Sequence, residues 1–131
     1  GCRLIQSLGA MKARVYRNIS GEKLTKLAPP SLRGQVALRR YDKESCLFTL
    51  LVFPTQQKDA IVSGPVAHML SGVTHSDRLV AFGGCFTLEA LAILNAHRVE
   101  VFAQSDFPWT DEGIQDIRNF ISSHAKFPHG T

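Results

Sequence analysis

The amino-acid sequence predicts an α/β protein. We expect a single domain with a mixed sheet of about five strands, in which an N-terminal antiparallel hairpin precedes a βαβαβα unit. Residues 35–41 alternate apolar with polar side chains and residues 46–53 form an apolar run, as paired strands do. After Pro54, apolar strand-like segments alternate with segments of helical spacing. Such units favour parallel strands joined by right-handed crossovers.

Composition is that of a small globular domain. The chain has 131 residues, of which 44% are hydrophobic and 20% are charged, and this balance excludes disorder of the whole chain. No apolar run approaches the roughly 18–20 residues that a membrane-spanning helix needs, and no short period recurs. We expect a flexible extension or a cloning or processing remnant at residues 1–10, the α/β domain at 11–125, and a tail at 126–131.

In the first half of the chain, residues 12–17 are predicted to form a short edge strand, because basic and apolar side chains alternate there. One or two helical turns are predicted at 20–27. The hairpin follows, with strands at 35–41 and 46–53 and a turn at 42–45. Its second strand is rich in β-branched and aromatic residues, so we expect it to be the buried central strand.

In the second half, the pattern predicts two more strands and three helices. Apolar residues at helical spacing indicate a helix at 58–71, in which an internal Gly-Pro pair predicts a kink or break. A helix capped by threonine is predicted at 87–97, and another at 110–124. The strands lie between the helices, at residues 78–82 and 99–103.

The loop from Gly83 to Thr87 is the first candidate site. Ligands of open α/β sheets bind outside the carboxyl ends of the parallel strands. Gly83 and Gly84 would let an anion approach backbone amides, and the following helix start adds a partial positive charge. Cys85 is the candidate catalytic residue, because a thiol at a helix start is activated. The competing interpretation is a tight turn with Cys85 packed inward.

The loop after the last strand is the second candidate site. Asp106 could hydrogen-bond a ligand, and Trp109 could stack on its ring. The competing interpretation is an Asx-type turn whose aromatic side chains cover the end of the core. The predicted ligand-binding residues are therefore Gly83, Gly84, Cys85, Thr87, Asp106 and Trp109.

Other sites have no support in the sequence. The five histidines show no metal-ligand spacing, and neither a serine-hydrolase motif nor a nucleotide-binding glycine motif is present. We predict no metal site and no cofactor. The chain has three cysteines, an odd number, and they show no CxxC spacing. We therefore expect no disulfide framework, and we expect the protein to lie in the reducing environment of the cytoplasm.

Charge divides the chain in two. Residues 1–44 contain ten Lys/Arg and three Asp/Glu, whereas residues 45–131 contain five Lys/Arg and eight Asp/Glu. One interpretation is a basic face that binds nucleic acid or an acidic partner. The other is a solvated surface attracted to the acidic half of the same fold. The residues assigned to the basic face are Arg14, Arg17, Arg33 and Arg39.

Three functions remain open at this point. The first, favoured by the architecture, is an α/β domain that binds a small anionic metabolite or nucleotide at the two loops. The second is a module that binds nucleic acid or an acidic partner through the basic half. The third is a homo-oligomeric interaction protein without a small ligand, whose basic edge strand pairs with another copy. Whether any reaction is catalysed stays open.

Overall fold

The computed structural model describes residues 3–5, 13–53, 59–73, 78–83 and 85–103. The strands in this part of the chain are β1 (Arg3–Ile5), β2 (Arg14–Ser20), β3 (Leu47–Phe53), β4 (Asp59–Ile61), β5 (Arg78–Gly83), β6 (Cys85–Phe86) and β7 (Val99–Ala103). The helices are α1 (Gly21–Leu27), α2 (Pro30–Leu38), α3 (Ser63–Ser71) and α4 (Leu88–Ala96), with a 3-10 turn at Tyr41–Lys43. The predicted helix at 110–124 lies outside the described residues.

The main sheet has the strand order β2-β3-β5-β7. β2 runs antiparallel to β3, whereas β5 and β7 are parallel to it. A second sheet, in the order β1-β4-β6, is parallel throughout. The fold is therefore mixed α/β, with an antiparallel pair before the parallel strands, as the sequence predicts.

Two helical layers cover the main sheet and close a single domain. Phe48, Leu50 and Val52 of β3 belong to the core cluster that contains apolar residues of α1, α2 and the 3-10 turn. Leu51 and Phe53 belong to the other cluster, with apolar residues of α3 and α4. β3 is thus apolar on both faces because each face is buried under helices.

The prediction of a strand at residues 35–41 is wrong. These residues lie in the second half of α2 and the turn after it, and the antiparallel partner of β3 is β2. Two features favour the helix. Pro30 occupies its first turn, where proline fits, and Leu32 and Val36 are four residues apart and both fully buried. The short alternation therefore resembles a strand, but the burial follows helical spacing.

The predicted helix at 58–71 begins later than expected. Residues 59–61 instead form β4, and the Gly64-Pro65 pair lies in the first turn of α3, so it marks the start of the helix rather than a kink. The helical turns predicted at 20–27 are confirmed as α1. Ser20 caps this helix, because its Oγ accepts a hydrogen bond of 3.1 Å from the Lys23 amide.

Gly21 lets α1 approach the 3-10 turn closely. A Cβ atom at this position would overlap the carbonyl oxygen of Tyr41 and lie 2.7 Å from its carbonyl carbon. We expect Gly21→Ala to lower the free energy of unfolding by about 2 kcal/mol or more, because backbone atoms cannot move aside as a flexible side chain can. Urea denaturation followed by circular dichroism measures this change.

Gly34→Ala is the matched control for Gly21→Ala. Gly34 lies in α2 and is exposed, and a Cβ atom added to it would have no neighbouring atom within 4 Å. We expect this variant to be stabilised by roughly 0.5–1 kcal/mol, because alanine is the better helix former. Equal effects of the two substitutions would contradict the close contact between α1 and the turn.

Candidate functional site

The parallel strands of the main sheet end together. Phe53 of β3 is the register partner of Gly83 of β5, and Gly83 is the partner of Ala103 of β7. Their carboxyl ends therefore form one edge, which is where α/β sheets bind ligands. The segments that leave β5 and β7 start from neighbouring strands, as a site shared by the two predicted loops requires.

The second sheet brings two helix starts together at this edge. Ala60 and Ile61 of β4 pair with Cys85 and Phe86 of β6. The amide of Thr87 then donates a 3.0 Å hydrogen bond to the carbonyl oxygen of Ile61. Because β4 leads into α3 and β6 leads into α4, the first turns of the two helices lie side by side.

The side chain of Thr87 caps the start of α4. Thr87 Oγ1 accepts a hydrogen bond of 3.2 Å from the amide of Ala90, so the hydroxyl is used within the helix. Glu89, which is exposed, adds a carboxylate to the first turn and complements the helix dipole. Thr87 thus has a clear structural role at the predicted site.

The start of α3 differs from that of α4. Val62 occupies the N-cap position, and no side-chain hydrogen bond caps this end in the described part of the chain. The first amides of a helix have no acceptor within the helix, and here they belong to Ser63 and Gly64. Gly64 is exposed with open space around it, and the first turn contains no acidic residue.

Gly83 serves packing in this structure. A Cβ atom there would lie 2.9 Å from Cζ of Phe86 and 3.0 Å from the carbonyl oxygen of Phe53. Its φ is not positive, so the residue is needed for close approach rather than for a left-handed turn. Gly84 lies outside the described residues.

Cys85 is half-buried in β6 and packs against the core cluster on the α1–α2 side of the sheet. It precedes the helix cap Thr87 by two residues, so Cys85 is a strand residue rather than part of the first turn. Asp106 and Trp109 lie outside the described residues. Of the six predicted site residues, the structure therefore describes Gly83, Cys85 and Thr87, all on the segment from β5 to α4.

Three of the four arginines assigned to a basic face make contacts with other parts of the fold. Arg17 donates to the carbonyl oxygen of Gly72 at the end of α3, at 3.0 Å. Arg33 donates twice to the carbonyl oxygen of Ala28 at the end of α1, at 3.2 and 2.9 Å. The remaining two are far apart in the sheet order, since Arg14 lies on β2 and Arg39 pairs with a residue of β7.

Sequence reasoning missed a group of charged and aromatic side chains at the opposite edge of the sheet. Arg78, at the start of β5, forms ion pairs with Glu44 and with Glu100 of β7. Its guanidinium carbon lies 5.6 Å from the ring centroid of Tyr41 and 5.3 Å from that of Phe48. We define the amino-edge cluster as Arg39, Tyr41, Glu44, Arg78 and Glu100.

Three pKa values in the amino-edge cluster are shifted. Burial alone would lower the pKa of Arg78, but its hydrogen bond to Glu44 and the carboxylates of Glu44 and Glu100 raise it above its ordinary value. Hydrogen bonding from Arg78, and secondarily from Cys46, holds the pKa of Glu44 below its ordinary value. Burial, followed by the carboxylate of Glu100, raises the pKa of Tyr41. The Tyr41 hydroxyl is buried without a hydrogen bond of normal geometry to the described residues, although the charges of Glu100 and Arg39 act on it. All three shifts favour the charge state that each group has at neutral pH.

The described residues contain no group of three His, Cys, Asp or Glu side chains that could hold a metal ion. None of the helices described is long and apolar enough to cross a membrane. No family model, curated protein or solved structure matches this chain.

The cap of α4 is tested by Thr87→Ala and Thr87→Ser. We expect the alanine variant to lose about 1 kcal/mol of unfolding free energy, because the Ala90 amide loses its acceptor. Serine retains a hydroxyl in the same place, so its loss should be much smaller. Thermal or urea denaturation measures both. Equal losses would mean that Thr87 acts through its methyl group instead.

Tyr41→Phe should reduce the loss of stability at alkaline pH. Because the pKa of Tyr41 is raised in the folded state, its contribution to stability is complete below the unfolded value near pH 10. It is lost as the pH rises, since the unfolded chain then releases the phenolic proton first. Denaturation measured from about pH 8 to pH 11 should give a shallower decline in the variant.

Tyr16→Phe is the control for this experiment. Tyr16 is the other tyrosine of the chain, and burial also raises its pKa, but the nearby charge of Arg14 opposes that effect. We expect its substitution to change the alkaline decline less than Tyr41→Phe does. The reverse order would show that the amino-edge cluster does not control the phenol.

Proposed function

We propose that this protein binds a small anionic ligand, a metabolite or nucleotide, through a phosphate or carboxylate at the adjoining starts of α3 and α4. The observation that carries the proposal is the first turn of α3, which has exposed Gly64 and no capping side chain among the described residues, beside the first turn of α4. Amides at a helix start donate toward an anion, and the helix dipole adds a partial positive charge.

The surrounding charges support an anion of low charge. The first turn of α3 contains no acidic side chain, whereas Glu89 lies in the first turn of α4. An exposed carboxylate is screened by solvent, so it weakens the site without abolishing it. A carboxylate or a phosphate monoester therefore fits this place better than a polyphosphate does.

The proposal extends to the segment after β7. We expect Asp106 and Trp109 to contact the rest of the ligand. Both follow Ala103 in the sequence, and Ala103 of β7 is the register partner of Gly83 of β5. The neighbouring positions of β5 and β7 support a site shared by the two loops. A catalytic role for Cys85 is not part of the proposal, because the residue packs within the core side of β6.

Binding is tested by titrating isotope-labelled protein with inorganic phosphate and then with a nucleoside monophosphate, while amide NMR shifts are recorded. We expect saturable shifts at Ser63, Gly64 and Leu88. A titration with chloride at equal ionic strength controls for general screening. Uniform shifts over the surface, or none at the two helix starts, would contradict the proposal.

Gly64→Asp should weaken phosphate binding by about tenfold or more, whereas Gly64→Ala should change it by less than about twofold. Both variants remove the same glycine from an open position. The aspartate alone adds a carboxylate near the amides, where it competes with the ligand and repels it. The dissociation constants come from the same NMR titration. Equal affinities of the two variants would place the anion elsewhere.

Fluorescence of Trp109, the chain's single tryptophan, distinguishes binding at the helix starts from binding that also involves the loop after β7. We expect a nucleoside monophosphate to change its fluorescence emission and inorganic phosphate to leave it unchanged, because only the larger ligand reaches the second loop. Binding without any change in emission would limit the site to the helix starts.

A further inference from the structure

We draw no further inference here: the strongest candidate, the amino-edge cluster with the partly buried Cys46 thiol donating to Glu44, carries none because its cations and carboxylates neutralise one another and nothing else in the described structure marks this single thiol as a place where a ligand or reactant binds.

Discussion

Burial of β3 on both faces is the constraint on which the rest of this fold depends. Six consecutive residues of this strand, Phe48 to Phe53, are buried, and a strand of this kind needs a covering layer on each side. The α1–α2 segment supplies one layer, and α3 with α4 supplies the other. Parallel pairing of β3 with β5 then requires a crossover, and that crossover contains β4 and α3. The position of the proposed site is thus a consequence of how β3 is buried.

Local patterns predicted the elements whose burial agrees with their sequence period. The sequence predicted the α/β class, a strand where β3 lies and a helix where α4 lies, and the structure confirms all three. The strand prediction for residues 35–41 was wrong because the buried positions of this helix, Leu32 and Val36, are four residues apart. Leu32 lies before the segment, so residues 35–41 alone do not show the helical spacing. β4 and β6 could not be predicted, because strands of three and two residues carry too little pattern and depend on pairing with each other. The adjacency of the two helix starts follows from that pairing.

Three of the ten basic residues in the first half of the chain have contacts within the fold that account for their position. Arg17 and Arg33 both donate to carbonyl oxygens just beyond helix ends, where the dipole favours a cation. Arg39 pairs with Glu100, so an acidic residue of the second half offsets part of the positive charge of the first half. The partners of Arg17 and Arg39 are distant in the sequence, so a count of basic residues does not show which of them are hydrogen-bonded or paired within the fold.

The two helix starts at the proposed site use their amides in different ways. The side chain of Thr87 caps α4, whereas the N-cap residue of α3 is Val62, whose side chain cannot accept a hydrogen bond from an amide. A capping side chain at such a position is worth about 1 kcal/mol. Water can satisfy these amides in the free protein, and an anion can displace that water while interacting with the same dipole. Among the described residues no side chain caps α3, so its first amides are the donors that the proposed anion would use, whereas the neighbouring α4 is already capped by Thr87.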